Sequence, residues 1–217
     1  MIRSALVAVA VAALLAGCGG SGTGRGTATL WLTRDEGKTV LLVRSVPADE
    51  SVLQALERST KITTRYGGRF VQSVNGLSGS IVARHDWFFF VNGVEGDRGA
   101  TDYRLHAGDI AWWDYRDWGR SGMSVPAVVG AFPEPFLHGF QWAKPGATIK
   151  GGGALATLLG HVVGPGPNEI DIESSVPPDA ARAERDGNKV RLVLGVRIAE
   201  KLSSDPTALA YRYQVAK

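Results

Sequence analysis

Trp87-Phe88-Phe89-Phe90-Val91-Asn92-Gly93, then Tyr103-Arg104-Leu105, then Gly108-Asp109-Ile110-Ala111-Trp112-Trp113-Asp114-Tyr115, decides how this chain folds. Each apolar run is rich in aromatic and β-branched residues and is bounded by turn residues. Asn-Gly after such a run is a strong hairpin signal, because both residues tolerate positive φ. Phe70-Val71-Gln72-Ser73-Val74 ends the same way, at Asn75-Gly76. Two Asn-Gly turns and one Gly-Asp turn predict an antiparallel sheet between Tyr66 and Trp118, with aromatics on at least one face. Adjacent strand residues point to opposite faces, so Trp112 and Trp113 divide. One belongs to the core, and the other meets solvent, a ligand or a second domain.

Upstream, Thr27–Thr33 alternates, with Ala28, Leu30 and Leu32 on one face. Val40–Val46 is more continuously apolar and is expected at the centre of the sheet. Pro47 ends it. Asp49 is a plausible helix N-cap, and Val52, Leu53 and Leu56 form one apolar stripe. That helix is expected to pack on one face of a mixed sheet. The other face would expose Trp or Phe unless a ligand, the C-terminal region or another protein covers it.

The run Trp87–Gly93, followed by Tyr103-x-Leu105-x-x-Gly108-Asp109-x-x-Trp112, resembles the transcobalamin-like C-terminal domain, a DUF4430-like β-grasp module. Gly68–Gly76 is similar to that pattern's first strand and turn. The resemblance covers roughly residues 27–118. It implies an N-terminal β-grasp domain, a mixed sheet with one helix; with a small α+β unit read for residues 124–217, the chain is expected to be α+β. It also implies a corrinoid-like small molecule as the first ligand class to test. By motif position the ligand-binding candidates are Trp87, Phe89, Asn92, Tyr103, Trp112 and Tyr115. For each of them a core-packing or turn role stands beside the binding role.

The N-terminus reads as a targeting segment. Met1-Ile2-Arg3 is a short positive region, and Leu6–Ala16 is apolar but too short to span a bilayer. Leu15-Ala16-Gly17-Cys18 resembles a bacterial lipobox, so Cys18 is expected to be lipidated and residues 1–18 to act as a lipoprotein signal. Gly19–Gly26 is a Gly-rich tether. These readings place the folded part on the extracytoplasmic face of a bacterial membrane, held by its lipid anchor. Cys18 is also the only cysteine, so no disulfide stabilises the mature fold.

Hydrophobic residues make up 44% of the 217-residue chain and charged ones 21%, which is ordinary globular composition. The formal net charge is +3, yet no Lys/Arg cluster is present to attract nucleic acid.

Residues 124–217 read as a second, small α+β unit of no recognised family. Ala127–Phe132 is expected as a strand, Ala180–Arg185 as a short helix and Leu209–Val215 as a terminal strand. Glu169–Glu173 alternates like an edge strand with its carboxylates outward. Gly151-Gly152-Gly153 precedes a short apolar helix but lacks both phosphate-loop patterns.

Catalytic signals are weak. Ser124, Ser174 and Ser175 have no G-x-S-x-G context, and the four histidines form no HExxH pair. The acidic residues lack calcium-loop spacing. No cofactor or metal is expected. A non-catalytic binding protein is the first expectation. A structural accessory or protein–protein interaction role in the cell envelope is the alternative.

Overall fold

Residues 26–140 and 144–215 are described by the computed structural model, so the leader, Cys18 and residues 19–25 of the tether lie outside the described residues. In chain order the first half contains β1 (Thr27–Arg34), β2 (Thr39–Pro47), α1 (Val52–Ser59), β3 (Ile62–Arg65), β4 (Phe70–Val74), β5 (Leu77–Ser78), β6 (His85–Val91), β7 (Val94–Glu95), β8 (Ile110–Asp117) and α2 (Trp118–Ser121). A 3₁₀ turn at Val129–Ala131 follows. Then come β9 (Ala147–Gly151), α3 (Ala154–Val163), β10 (Asn168–Ile172), β11 (Ala181–Asp186), β12 (Lys189–Leu194) and α4 (Val196–Ser204). The chain is α+β. Among the described residues no helix is long and apolar enough to cross a membrane.

The main sheet has the order β2-β1-β8-β6-β7. It is mixed: β1 runs parallel to β8, and the other pairs are antiparallel. Register fixes its two faces. Leu32, Trp113 and Phe89 lie side by side, as do Leu30, Ala111 and Val91. This face packs on Val52, Leu53, Ala55 and Leu56 of α1. One residue along, Trp31, Trp112 and Phe90 lie side by side on the opposite face. Val128 and Tyr213, with Val125 and Tyr211, cover them. The C-terminal segment therefore closes the second face, and both tryptophans of the pair are buried, Trp112 at 0% and Trp113 at 3% exposure.

The C-terminal region builds a second sheet, β11-β12-β10-β9. β9, α3 and β10 form a crossover between parallel strands. α3 packs on β9 and on α4.

Several expectations need correction. β2 is an edge strand, with Val40, Leu41 and Val43 each 45–48% exposed. A continuous apolar run here does not mark a central position. β4 leaves the main sheet for a three-stranded sheet, β3-β4-β5. The α1 N-cap is Ser51. Its hydroxyl accepts from Gln54 N, while Gln54 Oε1 accepts from Ser51 N, a full capping box. Asp49 instead sits at φ 68°. β10 is interior, because Arg191 and Lys150 on its neighbours neutralise Asp171 and Glu169. Ala180–Arg185 contributes to β11 rather than to a helix, and Ala127–Phe132 contains the 3₁₀ turn. Leu209–Val215 is a series of turns with one bridge to Ala181.

Candidate functional site

The six candidates by motif position do not share one surface. Trp87, Phe89, Tyr103 and Tyr115 lie on the α1 side of the sheet. The Trp87 and Tyr115 ring centres are 5.2 Å apart. Phe89 meets Tyr103 at 5.3 Å and Trp113 at 5.0 Å. Each polar tip in this group is used internally. Trp87 Nε1 donates to Leu77 O at 2.9 Å, and Tyr115 OH donates to Ser78 O at 2.9 Å. Tyr103 OH donates to Asp97 Oδ1 at 2.5 Å and accepts from Asp97 N at 2.7 Å. Burial and the bond to Asp97 push the Tyr103 phenol up to about 12, and the same bond lowers Asp97.

Asn92 is a buried turn residue at φ 51°. Its amide donates to Asp109 Oδ1 and Gly139 O, both at 2.8 Å, and its carbonyl oxygen accepts from Ile110 N at 2.8 Å. It joins the β6–β7 turn, the start of β8 and the loop before residue 140. Trp112 faces the other way. Its Nε1 donates to Thr33 Oγ1 at 2.7 Å, and its ring packs 5.5 Å from both Phe90 and Tyr213. All six therefore serve the interior in the first place.

The sequence reading missed two charged residues inside the aromatic face. Asp114 is 0% exposed, and each of its oxygens accepts two bonds. Oδ1 takes Thr33 Oγ1 at 2.5 Å and Gly37 N at 3.1 Å. Oδ2 takes Tyr213 OH at 3.0 Å and Glu36 N at 3.0 Å. Burial pushes Asp114 upward against these four donors, and it raises Tyr213 well above the usual phenol range. Arg116 is also 0% exposed. It bonds Glu95 Oε1 at 2.7 Å and lies over Phe88 with 3.8 Å from its Cζ to the ring centre. Its Nε and Nη1 have no hydrogen-bond partner among the described residues. Strand alternation could have found both residues: a carboxylate and a guanidinium two apart, on the Trp112 face, demand buried partners.

Asp114 binds two chain segments far apart in sequence, the β1–β2 turn and the C-terminal tail. Between them and α2 opens a cleft of about 460 Å³. Glu36 and Lys38 of the turn, Arg120 of α2, and Arg212, Tyr213 and Gln214 of the tail line it. Close backbone contact holds its walls. A Cβ on Gly37 would lie 1.6 Å from Tyr211 O, and one on Gly130 would lie 2.3 Å from Arg212 N. Glycine is required at both points.

A third buried polar side chain is Glu134, whose Oε1 meets Nδ1 of the exposed His138 at 2.5 Å. Burial raises Glu134, and its bonds to His138 oppose the rise. His138 Nε2 lies against Gly108, since a Cβ there would meet it at 2.3 Å. Among the described residues no group of three His, Cys, Asp or Glu side chains is placed to hold a metal ion.

Residues 49–117 match the family model of DUF4430, a domain of unknown function. The matched DUF4430 segment begins just before α1 and runs through β8, so it holds all six motif candidates together with Asp114 and Arg116. Among solved structures, haptocorrin in complex with Cbi is similar over 42% of this chain and 26% of that one, at 16% identity and a TM-score of 0.33. A "putative metal binding protein" from Ruminococcus gnavus ATCC 29149 is similar over 42% of this chain and 95% of that one, at 15% identity and a TM-score of 0.35. The chain thus spans about a quarter of the haptocorrin chain. No curated protein matches the sequence.

Proposed function

We propose that this chain is an extracytoplasmic lipoprotein, anchored through Cys18, that binds a small molecule without transforming it. Its first unit is read as a β-grasp module: the β1–β2 hairpin, then α1, then β8 inserted parallel to β1 at the sheet centre. The observation that carries the reading is the preformed cleft beside Tyr213, whose walls meet on one buried carboxylate, Asp114. A volume of about 460 Å³ falls within the usual range for ligand pockets. Ligand sites built from rigid walls lose less ordering free energy on binding. The oriented imidazole of His138 faces Gly108 rather than a hydroxyl or thiol, which supports binding over catalysis.

Corrinoid-like compounds are the first class to test, on the strength of the sequence motif. The full chain, purified in detergent, is titrated with cobalamin, cobinamide and haem while Trp fluorescence is followed. Saturable quenching supports the reading, and a flat response to every compound counts against it.

A second reading, an envelope protein–protein interaction role, is favoured by β2. Among the described residues its outer edge is unpaired, and Val40, Leu41 and Val43 are about half exposed. Long apolar edges are templates for strand addition by a partner.

A further inference from the structure

The walls of the cleft beside Tyr213 carry unbalanced positive charge. Lys38, Arg120 and Arg212 face a single carboxylate, Glu36. Glu36 is shared, with Arg120 Nη2 at 3.3 Å and Lys38 Nζ at 3.7 Å. Arg212 makes no ion pair among the described residues. Among the described residues that line the cleft, three cations against one carboxylate leave an excess of two positive charges, the complement of a dianion.

The existing contacts are easily exchanged. The Lys38 and Arg120 side chains are more than half exposed, and exposed ion pairs of this kind contribute little. A dianion reaching all three cations replaces them with charge-assisted bonds, and the planar guanidinium fork suits tetrahedral oxyanions. Arg212 starts from a fixed point. Its N–H donates to Leu209 O at 2.9 Å, and Gly130 packs against its backbone. Tyr213 and Val125 also line the cleft and supply apolar surface. The cleft is roomier than a bare oxyanion needs, so an organic group has a place along that surface.

We propose that the cleft binds a small organic phosphate monoester, its phosphate held by Lys38, Arg120 and Arg212 and its organic part against Tyr213 and Val125. This rests on the reading of the chain as a ligand-binding protein, and it names the site and the ligand class. The test is calorimetric titration of the full chain in detergent with phenyl phosphate and, separately, inorganic phosphate. One-to-one binding of phenyl phosphate, tighter than inorganic phosphate, is expected. Arg212→Ala should weaken it about tenfold or more, as expected for loss of a charge-assisted bidentate contact. Glu36→Gln should tighten it, because the variant removes the carboxylate that Arg120 and Lys38 share and leaves the Glu36 N–H on Asp114. Higher salt should weaken it. Equal or tighter binding of inorganic phosphate would overturn the monoester assignment. No binding of phenyl phosphate, or affinity unmoved by both substitutions, would overturn the site. If phenyl phosphate fails to bind while cobinamide or haem binds, the proposal falls and the wider ligand-binding reading stands. If nothing binds, both fall.

Discussion

Tyr213 OH donates to Asp114 Oδ2 at 3.0 Å, across 99 residues of sequence, and so ties the C-terminal tail to the central strand β8. The same carboxylate holds the β1–β2 turn through Glu36 N and Gly37 N. Removing one donor leaves a buried acceptor short of a partner, at a cost of about 1–3 kcal/mol. Tyr213→Phe should therefore lower unfolding stability by that amount. Asp114→Ala strands four donors and should cost about 3 kcal/mol or more. Urea denaturation followed by Trp fluorescence gives both values, and equal effects would argue against a shared hub.

Glu95 and Arg116 form a buried ion pair. Breaking such a pair from one side is expected to cost about 3–5 kcal/mol, because the remaining charge stays buried. Glu95→Gln should show this loss. The double variant Glu95→Gln, Arg116→Met should recover most of it. A double-mutant cycle reads the coupling, and an additive result would mean that the two side chains act independently.

Gly37 lies at φ 78° with the Tyr211 carbonyl where a Cβ would be. Gly37→Ala must move the C-terminal tail away from the turn. We expect a loss of about 2–4 kcal/mol, in the upper part of the range for single substitutions. Proteolysis should first cut near Arg212. Wild-type stability and an unchanged cleavage pattern would contradict the close approach.

Tyr103 is raised to about 12 by burial and by its bond to Asp97. Its folded-state value lies above the unfolded one, near 10. Its contribution is therefore complete below pH 10 and is lost as pH rises toward 12, because only the unfolded chain sheds the proton in that window. Tyr103→Phe should flatten the fall in stability between pH 10 and 12. Asp97, lowered first of all by Tyr103, works in the opposite direction, and its contribution fades in acid. Denaturation curves across both ranges check the two signs, and an unchanged alkaline slope in Tyr103→Phe would remove Tyr103 from the account.

Much of the sheet was legible in sequence. The Asn75-Gly76 and Asn92-Gly93 turns hold their expected positive φ, and the alternation of Trp112 and Trp113 gave the two faces. Strand order was not legible. β2 has a central strand's composition but lies at the edge, because the parallel insertion of β8 beside β1 is a long-range choice that no local run encodes. β10 shows the converse, since its carboxylates sit in the sheet interior opposite basic residues on β9 and β12. The six ring and turn candidates were found as motif positions, but their interior roles depend on what covers them. The cover over Trp112 comes from Val128 and Tyr213, residues the motif does not include. The cleft was invisible for the same reason: Lys38, Arg120 and Arg212 meet only after the two ends of the chain are brought together.

The most direct test of ligand recognition without catalysis is one titration series. The full-length chain in detergent is mixed with cobalamin, cobinamide, haem and phenyl phosphate, and Trp fluorescence and heat are recorded in parallel. We expect saturable one-to-one binding of at least one compound, and that compound recovered chemically unchanged. No response to any of them, or conversion of a bound compound, would contradict it.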